Sequence, residues 1–422
     1  MFTPNTLTET DLLHRILTFH PESAEPLVKY LKIEKEVDLK APDKHRAAEL
    51  LISHARKMGG HELANLCRKG EGIPYAELVY DVGKKMKVPD ISKINTVEGN
   101  EGLILKKALS DAVDKMSPEE REKFLASVGL ENRNIPVGPA GAIVVQMLLA
   151  QLGAGALSYI ALLLTEMLSV ALLGRVAAWG ALVAVDGMVA NAAGVLLGPV
   201  GWFATGAWLA NDLAGPAYRK TVPFVIHFAA LRQLVNQQIN LCVVGDGSTG
   251  KDSLMRQVFG ITGKINPVAG ITSSVESHQL KNCPLVWVHN LPGFNDPRAS
   301  VNQRTDDFLH VADAFLVVVD VNRGISDVDI QVVKHVTATA PGKPLLICLN
   351  KVDLLRPDAD IAELEQVAKK RLGHYPMLKT AFDPDPRLGQ APLGAHDIFV
   401  WICEQLEASG KDVSQLKASG LQ

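Results

Sequence analysis

The sequence predicts an α plus α/β protein. An all-α N-terminal module with an apolar, Gly/Ala-rich helical hairpin precedes a three-layer α/β domain built on a mostly parallel sheet. Three observations carry this. Residues 1–133 are charged and patterned as short helices, residues 134–235 turn abruptly apolar, and from residue 236 short β-rich runs alternate with helical or loop segments. The α/β domain is expected to span residues 236–410, leaving 411–422 as a polar tail.

Within residues 1–133, SPEEREKFLASVGL (residues 117–130) reads as a complete helix signal. Ser117 suits the N-cap, Pro118 the first turn, the acidic residues the positive helix end, and Gly129 the stop. KAPDKHRAAELLISHARKMGG gives a second helix ending at the Gly59-Gly60 pair. No strand-like alternation competes, so the region is expected to be all-α.

Residues 134–165 contain no Asp, Glu, Lys or Arg, and neither do residues 187–211. Each run exceeds the roughly 20 apolar residues that span a bilayer as a helix. Gln151, Ser158, Thr165 and Ser169 recur at seven- and four-residue spacings and share one helical face. Gly153, Ala154, Gly155 and Ala156 permit close backbone approach. Two readings stand: a core hairpin of a soluble helical domain, or membrane contact through residues 134–211.

The apolar runs INLCVVGD, PLVWVHN, AFLVVVDV and KPLLICLN lack the alternation of half-buried strands. Continuous runs of this kind suit strands covered on both faces, hence a parallel sheet with βαβ crossovers.

The chemistry concentrates at the ends of these runs. Gly245-Asp246-Gly247-Ser248-Thr249-Gly250-Lys251 satisfies G-x-x-x-x-G-K between a strand and a helix. Glycines let backbone N–H groups turn inward around phosphates, Lys251 adds charge, and the following helix offers its positive end. Asn350-Lys351-Val352-Asp353 follows the last apolar run. A carboxylate on such a loop accepts two hydrogen bonds from a guanine edge, N1–H and the 2-amino group, a donor pair that adenine lacks. Asn290-Leu291-Pro292-Gly293 lies between the two, after LVWVH.

In this order and spacing the three motifs resemble the translation-factor-like and Era-like P-loop GTPases, over about 175 residues. The resemblance implies that GTP or GDP and Mg²⁺ are the cofactors. It implies phosphate contacts from Gly245, Gly247, Ser248, Thr249, Gly250, Lys251, Asp252 and Ser253. Base contacts would come from Asn350, Lys351 and Asp353, supported by Ala381 in Thr380-Ala381-Phe382. Gly293 would donate its N–H to the γ-phosphate, and Thr272 would be the threonine that closes over the metal. Lys251, Thr272 and Gly293 would then be the catalytic set.

Two positions depart from the family, in opposite senses. The residue after the lysine, a metal-binding Ser or Thr in the family, is Asp252. The aspartate that holds a metal-bound water there is Asn290. One carboxylate has moved and the formal charge is unchanged. Asp252, Asn290 and Thr272 are the expected metal site, since Mg²⁺ prefers oxygen donors. Ser253 is no simple replacement, because one residue along a helix turns the side chain by about 100°. Phe294 occupies the position where many relatives place a water-orienting glutamine, so hydrolysis is expected to be slow.

The segments GGHELANLCRKGEGIPYAELVYDVGKKMKV (residues 59–88) and GPAYRKTVPFVIHFAALRQLV (residues 215–235) resemble the uncharacterised bacterial YaaW-like family. That likeness covers roughly residues 10–235 and assigns the apolar stretch to the N-terminal module. It transfers no catalytic residues.

Bulk properties narrow the partners. With 422 residues and a formal net charge of −3, the chain has room for several domains and no polybasic field for nucleic acid. Its five cysteines share no C-x-x-C spacing, as expected of reduced thiols in the cytoplasm. The N-terminus lacks the order of a signal peptide. The expected partners are a guanine nucleotide and a protein effector or second copy, with membrane contact at the inner face of the cell membrane as the further candidate.

Overall fold

The structure is a computed structural model. It describes residues 8–19, 21–59, 72–127, 130, 141–152, 157–158, 160–161, 163–165, 218–262, 275–280, 283–293, 308–355, 361–385, 387 and 390–418. The chain forms two compact units, residues 1–237 and 238–422.

The first unit is helical. Its described helices are α1 (Glu9–Phe19), α2 (Pro21–Leu31), α3 (Lys44–Gly59), α4 (Tyr75–Lys85), α5 (Val97–Lys115), α6 (Pro118–Ser127), α7 (Gly141–Leu152) and α8 (Tyr218–Gln237). Local chemistry sets their ends. Ser117 Oγ accepts from Glu120 N at 3.2 Å while Glu120 Oε2 accepts from Ser117 N at 2.8 Å, a reciprocal cap that starts α6. Asp43 Oδ1 accepts from Arg46 N at 2.8 Å and starts α3. Asp114 Oδ1, on α5, accepts from Gly141 N and starts α7.

Helix α8 is buried almost all round, and α2, α3, α4 and α5 pack against it. An apolar surface on every side suits a central helix. Two of its buried polar side chains, His227 and Arg232, are paired with other helices. His227 has Tyr30 Oη 3.2 Å from Nδ1 and Ser23 O 3.2 Å from Nε2. Arg232 Nε donates to Glu101 Oε2 at 2.7 Å, and Tyr75 Oη donates to Glu101 Oε1 at 2.8 Å.

Of the apolar stretch, α7 and a few residues beyond it are described. Ser158 and Thr165 are buried, and Thr165 Oγ1 donates to Ala161 O at 2.8 Å. Ser169, the side chain of Gln151 and residues 187–211 lie outside the described residues. Among the described residues no helix is long and apolar enough to cross a membrane.

The second unit is the three-layer α/β domain that the apolar runs predict. Its strands are β1 (Ile239–Val244), β2 (Glu276–Leu280), β3 (Cys283–Asn290), β4 (Ala314–Asp320), β5 (Leu345–Asn350) and β6 (Met377–Thr380), in the order β2-β3-β1-β4-β5-β6. All neighbours are parallel except β2 and β3. Its described helices include α9 (Lys251–Phe259), α10 (Asp327–Thr339), α11 (Ile361–Leu372), α12 (Ala395–Ala408) and α13 (Ser414–Ala418). Alternate strand residues feed opposite cores. Leu241, Val243, Leu316 and Val318 pack with α9 and α12, while Cys242, Val244, Val317 and Val319 pack with α10 and α11. Burial on both faces explains the unbroken apolar runs.

Candidate nucleotide site

The central strand β1 pairs with β3 on one side and β4 on the other. Successive connections therefore leave β1 in opposite directions, and the crevice at such a reversal is where open α/β sheets bind ligands. The loop 245–250 leaves β1 at that point and enters α9 at Lys251.

Backbone geometry explains the glycines. Gly250 has φ +101°, and a Cβ there would sit 2.2 Å from Asn350 Nδ2. Gly245 has φ +152°, and a Cβ would sit 2.5 Å from Val318 O. Ser248, with φ 58°, completes the turn in the left-handed region. Thr249 is buried and its Oγ1 donates to Asp246 O at 3.1 Å.

Lys251 spans the loop from within. Its Nζ donates to Gly245 O at 3.1 Å and Asp246 O at 2.8 Å. Burial pushes its ammonium down to about 8, opposed by the Asp252 and Asp246 carboxylates. A nearly buried cation inside a ring of backbone turns favours an anion as its partner.

Asp252 and Asn290 meet. Asn290 is the last residue of β3, is 2% exposed, and its Nδ2 donates to Asp252 Oδ1 at 2.9 Å. Asn290 Oδ1 is buried with no hydrogen-bond partner among the described residues. Ser253 is also buried. Gly293 follows at close range, since a Cβ there would lie 3.0 Å from Gly247 N.

The loop after β5 is tied to the phosphate loop. Asn350 Nδ2 donates to Thr249 O at 2.8 Å, and Asn350 Oδ1 accepts from Phe382 N and Thr380 Oγ1, both at 3.3 Å. The segment Thr380-Ala381-Phe382 therefore lies beside Asn350, with Ala381 buried and bridged to Leu393. Lys351 adopts φ 68°, and its Nζ donates to Ser248 O at 3.0 Å and Asp320 Oδ2 at 2.6 Å. Asp353 sits half-buried in the short turn Val352–Leu354.

Thr272 and Phe294 lie outside the described residues. His289, on β3, is buried with Ser277 Oγ 2.9 Å from Nδ1 and Asn240 Oδ1 3.1 Å from Nε2. Arg323 escapes sequence reasoning altogether. Its Nη1 donates to Asp246 Oδ2 at 3.0 Å. The one available signal is its place just after a strand that neighbours β1.

The donor set suits a hard divalent cation. Asp252 and the unpartnered Asn290 Oδ1 are oxygen donors held together beside the phosphate loop. Among the described residues no group of three or more His, Cys, Asp or Glu could hold a metal. An ion held by Asp252, with Asn290 Oδ1 reaching it through a bound water, would take further oxygens from nucleotide and water, as Mg²⁺ commonly does.

The sheet order, the loop 245–250 and the loop after β5 define the second unit as a P-loop GTPase domain. Residues 240–351 match the family described as 50S ribosome-binding GTPase. The tRNA modification GTPase MnmE of Natranaerobius thermophilus is 30% identical over 145 residues, 33% of this chain and 30% of that protein. Era of Aquifex aeolicus, solved as a point variant bound to GDP.AlF4-, aligns at 22% identity and a TM-score of 0.30, covering 34% of this chain and 50% of that one. The chain thus spans half or less of these GTPases.

The remaining likeness lies in the N-terminal part. A UPF0174 protein of Helicobacter pylori is 34% identical over 180 residues, 41% of this chain and 82% of that protein. The chain belongs to the UPF0174 family, which includes YaaW of Escherichia coli.

Proposed function

We propose that this protein is a guanine-nucleotide switch with slow, metal-dependent GTP hydrolysis, and that its helical module is the output. The observation that carries the reading is the Asp252–Asn290 pair, with one buried amide oxygen left for a further partner. A buried polar atom without a partner costs about 1–3 kcal/mol, which a ligand would recover. Mg²⁺, when bound, would supply positive charge between the Asp252 carboxylate and the γ-phosphate. Asp252 would hold it directly and Asn290 Oδ1 would accept from a coordinated water, with Thr272 closing over the site.

The chain's own residues do the rest. Backbone N–H groups of residues 245–250 and Lys251 bind the phosphates, Gly293 meets the terminal one, and Asp353 reads the guanine edge. Ordering of the segments around Thr272 and Gly293 by the terminal phosphate would then be passed to the helical module. That module would engage a membrane or a protein partner according to nucleotide state. A second reading, a scaffold that binds GTP or GDP without turnover, is favoured by Phe294, which cannot orient water.

The test is a set of exchanges in the full chain, followed by titration with fluorescent GTP analogue and GDP. Asp252→Ser and Asn290→Asp should each weaken analogue binding, and the pair should restore it. Chelation should weaken the analogue more than GDP. Equal binding with and without chelator sinks the metal-dependent site. Phosphate release separates the switch from the scaffold, and vesicle flotation in each nucleotide state tests the output.

A further inference from the structure

Asp246, the second residue of the phosphate loop, puts a carboxylate into a segment whose function is to receive an anion. Its Oδ2 accepts from Arg323 Nη1 at 3.0 Å, with Asp246 20% and Arg323 35% exposed. Arg323 ends the short turn Val321–Arg323 that follows β4. Because β4 pairs directly with β1, the exit of one strand stands beside the exit of the other.

Arg323 is anchored on its far side. Its Nη2 lies 3.5 Å from Asp329 Oδ1, and Asp329 is 1% exposed and locked with Ser326 in the capping box of α10. The turn is fixed as well. Asp320 Oδ1 accepts from Asn322 N at 3.0 Å, while Asp320 Oδ2 holds Lys351. Lys351 in turn reaches Ser248 O. The phosphate loop is therefore gripped at Asp246 and Ser248 by two cations from the exits of β4 and β5.

The charge balance makes the first grip matter. Asp246 and Asp252 bring two carboxylates to the loop and its helix, against Lys251. Lys351 is already engaged by Asp320. Among the described residues, Arg323 is the cation whose side chain meets the Asp246 carboxylate.

We propose that Arg323 is a positioning residue for nucleotide phosphates, acting by neutralising the Asp246 carboxylate and holding it against the β4 exit. This rests on the nucleotide-site reading above. Without Arg323, the Asp246 carboxylate would be opposed, among the described residues, by Lys251 alone, which also faces Asp252, and would repel the phosphates.

A merely structural role, in which Arg323 also braces the buried Asp329, predicts that removing the Asp246 carboxylate does not rescue Arg323→Ala. The proposal predicts rescue. Titrating the full chain with fluorescent GDP, Arg323→Ala should weaken binding by about tenfold, while Asp246→Asn should bind at least as tightly as the parent. The double variant should return to within about threefold of the parent, and Arg323→Lys should keep most of the affinity. The Arg323→Ala defect should also shrink as salt rises. Asp246→Asn weakening GDP as much as Arg323→Ala, or a double variant no better than Arg323→Ala, overturns the assignment. A parent chain that binds no GDP sinks the nucleotide reading itself.

Discussion

Asn350 Nδ2 donates to Thr249 O at 2.8 Å across 101 residues of sequence, and the same side chain accepts from Phe382 N and Thr380 Oγ1. One buried amide thus joins the phosphate loop, the exit of β5 and the segment after β6. Gly250 must lack a side chain for that amide to fit, since a Cβ there would lie 2.2 Å from Asn350 Nδ2.

Asn350→Ala should therefore damage two properties together. It leaves Thr249 O and Phe382 N buried without partners, a cost of about 2 kcal/mol or more. Faster amide exchange along β5 would report the stability loss, and a nucleotide titration the loosened loop. Unchanged GDP affinity in this variant would separate Asn350 from the binding site.

Asp353 is a question of specificity. If its carboxylate accepts from guanine N1–H and the 2-amino group, Asp353→Asn presents a donor where an acceptor is needed. Xanthine carries an oxygen in place of the 2-amino group and should suit the new amide. The expected result is a loss of GDP affinity by about a hundredfold with a gain for xanthosine diphosphate. Equal losses for both nucleotides would remove Asp353 from base reading.

Much of the α/β fold was legible because β1, β4 and β5 are covered on both faces and so read as unbroken apolar runs. Strand β2 was not, and the reason is physical. Its sequence ESHQL is largely exposed and pairs with β3 antiparallel at the sheet edge, so no burial imprints a pattern on it. At the site, loop chemistry announces itself through glycines and a following lysine. Arg323 carries no such local mark, because its contact with Asp246 arises only when β4 lies beside β1. The Asp252–Asn290 bond was equally invisible as a contact, although both departures from the family could be read.

Arg232 and Glu101 test the helical unit. Glu101 is fully buried, and burial pushes its carboxyl up to about 7 despite the Arg232 guanidinium and the Tyr75 hydroxyl. Removing one partner strands the other. Arg232→Met should cost about 3–5 kcal/mol, and adding Glu101→Gln should recover a large part. Amide exchange along α8 and α5 measures both. A double variant as unstable as the single one would show that packing, such as Arg232 over the Phe228 ring at 5.3 Å, outweighs the charge pair.

His227 makes the stability of the same unit depend on pH. Burial pushes its imidazole down to about 4 from an ordinary 6.5, against a smaller upward pull from Ser23 O. Neutral imidazole satisfies both contacts, donating from Nε2 to Ser23 O and accepting at Nδ1 from Tyr30 Oη. Between pH 6.5 and 4 the unfolded chain binds a proton that the folded chain refuses, so stability rises with pH across that window. Acidification across it should remove about 3 kcal/mol from this source. His227→Gln, which keeps one donor and one acceptor, should flatten that part of the profile. Amide exchange of α8 at several pH values is the direct measurement, and an equally steep loss in His227→Gln would assign the acid sensitivity to other groups.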